Sequence, residues 1–69
     1  MKDVVGTKIR VGDKVAVLRP AGIAIGVVTD LAQTSVAVDM DCEFDRNLNK
    51  RTLFWDELVP AKFILVLKK

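Results

Sequence analysis

Ser35–Asp45 reads S-V-A-V-D-M-D-C-E-F-D, and its alternation decides the fold. The even positions are apolar: Val36, Val38, Met40, Cys42 and Phe44. From Ala37 onward the odd positions are small or acidic: Asp39, Asp41, Glu43 and Asp45. A period of two describes a β-strand with one face in a core and the other in water. On this pattern four carboxylates stand in one row on the wet face.

Short strands separated by turn signals flank this segment, the pattern of a barrel or sandwich. Val4 to Val11 reads as an extended lead-in containing Gly6, and Gly12-Asp13 as a turn. Lys14–Arg19 is an alternating strand with Val15 and Val17 on one face. Arg19-Pro20-Ala21-Gly22 turns the chain, because Pro20 presets φ. Ile23–Leu31 forms the second strand and Ala32-Gln33-Thr34 turns into the acidic one. Residues 46–50 form the next turn, with Asn47 and Asn49 the residues that tolerate positive φ. Thr52–Trp55 is the fourth strand and Lys62–Leu67 the fifth.

Parity constrains the hairpin between the third and fourth strands. A four-residue loop that pairs Asp45 with Lys50 sets Cys42 across from Leu53 and Met40 across from Trp55. Trp55 then lies in the core and Phe54 on the carboxylate face. A slip of one residue would move Trp55 among the carboxylates. Asp56–Pro60 reads as a short turn, because Pro60 lacks a backbone donor. No window of helical length shows a clean 3.6 period, so no α-helix is expected.

Sixty-nine residues make a single domain, 1–69. A chain of this size buries only about 60% of its unfolded surface. One cysteine forms no internal disulfide, and without histidine there is no Cys/His metal cluster. Lys2 and Asp3 are followed by only two apolar residues, so no signal peptide is expected. No apolar run approaches the roughly 20 residues of a membrane span, and a cytoplasmic protein is expected. The net charge of +2 is unevenly spread: residues 1–22 carry +3, residues 23–45 carry −5 and residues 46–69 carry +4. A nucleic-acid binder more often shows one dominant basic patch.

The residues offer little to catalysis. Without His or Tyr, neither Ser35 nor Cys42 has the usual base to activate it. Cys42 alternates onto the apolar face and reads as an inert core thiol. D-x-D-x-E-x-D has the residue types of a calcium loop but lacks its glycine. It also sits in a strand, where next-nearest side chains lie about 7 Å apart. Neither a metal nor a cofactor is expected, and an enzyme is not.

Two segments are apolar on both faces: residues 21–28 and Phe63–Leu67. In a small barrel only one face of each strand points inward. Ile23, Ile25 and their neighbours are therefore candidates for an exposed contact surface, a usual sign of an interface.

V-G-D-K-V-A-V-L-R-P-A-G-I-A-I-G-V-V-T-D-L, residues 11–31, resembles the KOW and SH3-like small-barrel pattern. That pattern joins a Gly-Asp turn, an alternating strand, a glycine-containing loop and a second strand with a Gly-Val step. Here these are Gly12-Asp13, Val15 and Val17, Gly22, and Gly26-Val27. The whole chain is also similar to uncharacterised SH3-like proteins of bacteriophages, through its opening G-T-K-I-R-V-G-D-K-V-A-V and closing K-R-T-L. The resemblance implies an all-β, five-stranded SH3-like small barrel with a long hairpin between the third and fourth strands.

The expected function is a non-catalytic module that binds a protein partner, in the setting of a phage-encoded accessory factor. Ile23, Ile25 and Phe54 would anchor the contact, and Asp39, Asp41, Glu43 and Asp45 would steer it. The alternative is a KOW-like nucleic-acid-binding module using Lys8, Arg10, Lys14 and Arg19, with Lys68 and Lys69 in support. A third reading is a small homo-oligomeric building block.

Overall fold

β3 (Ser35–Asp45) is the strand around which the rest is arranged. A computed structural model describes residues 1–53 and 55–67. β1 (Lys14–Arg19), β2 (Gly22–Leu31), β4 (Lys50–Thr52), β5 (Asp56–Pro60) and β6 (Ile64–Val66) complete one antiparallel sheet. Its order is β4-β3-β2-β1-β6, with β5 also paired to β3. No pairing joins β5 to β6 among the described residues, so the ladder is open. A single 3₁₀ turn at Ala61–Phe63 links them. The described residues contain no α-helix, and no helix long and apolar enough to cross a membrane.

The architecture is all-β, but with six strands where five are expected. Three assignments change: the fourth strand is Lys50–Thr52 rather than Thr52–Trp55, because the ladder to β3 breaks after Thr52, and the two segments after it also differ. Asp56–Pro60 is a strand rather than a turn, because β5 lies on the sheet's margin and Pro60 ends it, where a missing donor disturbs no second ladder. The 3₁₀ turn falls just after it and shortens the closing strand to Ile64–Val66.

The register at the hairpin also differs by one residue. Phe44 pairs with Lys50, Glu43 with Arg51 and Cys42 with Thr52. The cause is Asp45, which belongs to the turn. Its carboxylate accepts the backbone N–H groups of Asn47 and Asn49, both at 2.9 Å, and its own N–H bonds the Asn49 carbonyl. The loop is therefore three residues long, a class that needs a left-handed residue in its last position. Leu48 fills that position, with φ 62°, rather than Asn47 or Asn49.

The core face of β1 to β3 carries Val15, Val17, Ala24, Val28, Val36, Val38 and Met40, all buried. Leu53, Val59 and Ile64 close over them, and Ile9 packs in from the lead-in. The lead-in is not simply extended. It turns at residues 4–6 and returns through a bridge between Lys2 and Lys8.

After Gly22, which meets the Phe44 carbonyl, Gly26 is the glycine that β3 crowds most closely. A Cβ there would lie 2.5 Å from the Asp39 carbonyl oxygen and 2.6 Å from Val38 Cγ1. The β2–β3 ladder is irregular at this point: Ile25 faces Cys42, but Gly26 faces Met40, so Asp41 is an extra residue. A bulge of this kind bends and twists its strand. On the other side of β3 the step is reversed. There Cys42 faces Thr52 on β4 and Asp39 faces Asp56 on β5, so Met40 and Asp41 alone fill the β3 side of the gap.

Candidate protein-binding face

Opposite residues in an antiparallel ladder point to the same face. Ala24 is fully buried on the core face, so Ile25, next to it, points outward. The ladder then assigns the outer face row by row. Leu18, Ile23, Phe44 and Lys50 form one row, and Leu65, Ala16, Ile25, Cys42 and Thr52 the next. Lys14, Val27, Asp39 and Asp56 form the third. The centre of this face is apolar across three strands, and Ile23 and Val27 are 44% and 41% exposed. Contiguous exposed apolar patches of appreciable size are a general mark of interaction surfaces, which makes this face the candidate. Cys42 is buried with a free thiol, but it belongs to this outer face rather than to the core cluster.

The acidic row does not survive as one row. The extra residue Asp41 reverses the alternation of β3 beyond it. Glu43 consequently faces Ala24 and stands on the core side, at its margin. There it meets Arg51 Nη2 at 3.4 Å and Arg19 Nε at 3.9 Å. Asp45 is occupied by its own loop. The backbone N–H of Asn49 holds its carboxyl below the ordinary carboxylate value; desolvation opposes this, and the Asn47 N–H and the Asn49 side chain assist. Asp39 and Asp41 remain exposed, and among the described residues neither forms an ion pair. No group of three or more His, Cys, Asp or Glu side chains converges on a metal position among the described residues.

Trp55 is not in the core. It is 44% exposed and lies in the break between β4 and β5, where Leu53 takes the buried place. Its Nε1–H donates to Glu57 Oε1 at 3.2 Å, so the tryptophan stands among carboxylates after all. Phe54 lies outside the described residues.

Arg19 also donates to Glu57 Oε1, at 2.9 Å. These side chains border a groove of ≈ 560 Å³ floored by Val17, Val59 and Phe63. Its charges are answered internally, by an arginine held between two glutamates. Arg19 is thereby separated from the other basic candidates. Lys14 lies at the opposite end of β1 and on the opposite face, while Lys8 and Arg10 are exposed in the lead-in. Lys68 and Lys69 lie outside the described residues.

Sequence reasoning passes over Asp3, which is only 7% exposed. Its Oδ1 accepts the N–H groups of Val5 (3.0 Å) and Thr7 (2.7 Å), and Oδ2 accepts that of Val66 (2.8 Å). Burial alone would raise this carboxyl, but the N–H groups of Val66, Thr7, Val5 and Gly6 together lower it. Asp3 thus ties the lead-in to the free edge of β6, and Val4 N–H to Ile64 O reinforces the tie. The one advance signal is a carboxylate before a Gly-Thr turn, too common to single out.

Comparison with curated proteins and with solved structures gives no match. Residues 1–53, from the lead-in through β4 to Leu53, match the family described as Domain of unknown function (DUF7205), and the chain belongs to that family.

Proposed function

We propose that this chain is a non-catalytic protein-binding module, an SH3-like small barrel that docks through the outer face of β1, β2 and β3. The observation that carries the reading is the apolar centre of that face, with Ile23 and Val27 exposed and Leu18, Ile25, Phe44 and Leu65 half-buried around them. Ile23 and Ile25 anchor the contact, Asp39 and Asp41 steer it, and Glu43 and Asp45 serve the fold instead. The likeness at residues 11–31 supports the barrel, as does the return of β6 onto β1 after a 3₁₀ turn. The setting of a phage-encoded accessory factor rests on the likeness of the opening G-T-K-I-R-V-G-D-K-V-A-V and closing K-R-T-L to SH3-like proteins of bacteriophages, and the cytoplasmic setting on the short apolar runs of the sequence.

The competing reading is a nucleic-acid module. Placing Arg19 between Glu43 and Glu57 leaves it Lys8, Arg10 and Lys14. A photocrosslinking side chain at position 27, with one at Gln33 as control, tests the two in native lysate. Docking through the outer face yields polypeptide adducts from position 27 and none from 33. Nucleic-acid adducts, with binding to nonspecific DNA or RNA that falls steeply with salt, contradict it.

A further inference from the structure

We infer that the outer face docks on a second copy of the same chain, giving a two-fold dimer of face-to-face sheets. The inference rests on the docking reading above and names its partner. A two-fold interface must be self-complementary, because each patch meets itself. The row Lys14–Val27–Asp39 has the required form: a cation on β1, an aliphatic centre on β2 and an anion on β3.

Let the two-fold axis lie in the interface, close to the direction of β2. The axis then exchanges β1 with β3, and β6 with β4 and, in the Asp39 row, β5. Lys14 of each copy comes over Asp39 of the other, twice per dimer. Val27, Ile25 and Ile23 stack on their own counterparts along the axis. Small Ala16 lies over Cys42, Leu18 over Phe44, and Leu65 over Thr52. No row sets like charge on like charge.

Stacked sheets lie about 10 Å apart, a gap that a lysine and an aspartate reach across together. They cross at roughly 30°, which keeps the axis near β2. The local field favours the contact. Asp39 pairs directly with Asp56 on β5, and like charges opposite one another are unfavourable. A cation from outside relieves that repulsion. The pattern also accounts for the apolar outer strand faces of a 69-residue chain that has no disulfide to stabilise it.

Sedimentation equilibrium of the full chain tests the inference, using Lys14→Glu, Asp39→Lys and the double exchange. Lys14 and Asp39 are exposed, so circular dichroism of each variant should match the wild type. The wild type is expected to be dimeric, and either single reversal to raise the dimer Kd about tenfold or more. The double exchange should restore the wild-type Kd, a rescue that general stickiness does not produce. Val27→Lys, on the axis, should give a monomer. A wild type that stays monomeric at every concentration overturns the dimer, as do single reversals without effect or a double exchange without rescue. The photocrosslink separates the two readings. An adduct of twice 7.6 kDa supports the dimer. An adduct only to another protein overturns the dimer and leaves the docking face standing, whereas no polypeptide adduct overturns both.

Discussion

Ala24 and Glu43 stand directly opposite each other on β2 and β3, a buried alanine facing a carboxylate on the same side of the sheet. Strict alternation from Met40 would put Glu43 on the other side. One extra residue, Asp41, reverses the phase of β3, and much else follows from it. Glu43 joins Arg19 and Arg51, Cys42 and Phe44 move to the outer face, and the acidic row is cut to Asp39 and Asp41. The apolar outer face is thus completed by the same irregularity that removes half of its expected acidic neighbours.

Gly26 is required where the bulge brings the β3 backbone against β2. Gly26→Ala drives a methyl into the Asp39 carbonyl and the Val38 side chain, and neither lies on a flexible surface arm. We expect a loss of about 2–4 kcal/mol by denaturant unfolding. Gly12→Ala is the contrast: a Cβ there meets nothing within 4 Å, but the residue has φ +94° in its turn. That change should cost only about 1 kcal/mol. Equal losses would mean that crowding at position 26 is absent.

Leu48 is 79% exposed, so its side chain contributes little packing to offset its left-handed backbone. Leu48→Asn should stabilise the protein by up to about 1 kcal/mol, and Leu48→Val should destabilise it, since β-branching is worst at positive φ. A lower midpoint for the asparagine variant would show that the loop does not take this form.

Asp3 makes stability depend on acid. Its folded carboxyl lies below the ordinary value, so its contribution is complete above that value and is lost as the pH falls through the folded one. Asp3→Asn should cost about 1–3 kcal/mol at neutral pH, because one side-chain oxygen that accepts becomes an amide that only donates. The difference in melting temperature between variant and wild type should shrink on acidification. A constant difference from neutral to strongly acidic pH would contradict a charged Asp3.

Trp55 is the only tryptophan, so its fluorescence reports its place. Emission should be red-shifted and readily quenched by acrylamide, and Glu57→Gln should alter it by changing the Nε1 acceptor. Blue-shifted, unquenchable emission would return Trp55 to the core.

Burial and register were not equally legible in the sequence. β1 and β3 were readable because Val15, Val17, Val36 and Val38 alternate cleanly with polar or small neighbours. The bulge was not, because Met40 and Cys42 are both buried although they lie on different faces. Alternation of polarity passes unbroken through a point where alternation of facing does not. Trp55 departs from its expected core position for the same reason: its place depends on a break in the ladder that no residue type announces. At the candidate site, Ile23 and Ile25 were legible as apolar residues in surplus of one core. Glu43 and Asp45 were not distinguishable from Asp39 and Asp41, because ion pairing and loop capping depend on register. Asp3 was hidden because its partners are backbone N–H groups, which every residue but proline carries.

Cross-strand proton contacts in an NMR spectrum of the folded chain test the phase reversal at Asp41 most directly. The structure predicts Ala24 opposite Glu43 and Ile25 opposite Cys42, then Gly26 opposite Met40 with Asp41 skipped. An unbroken ladder, with Gly26 opposite Asp41 and Val27 opposite Met40, would restore the single acidic row and remove the apolar outer face as described.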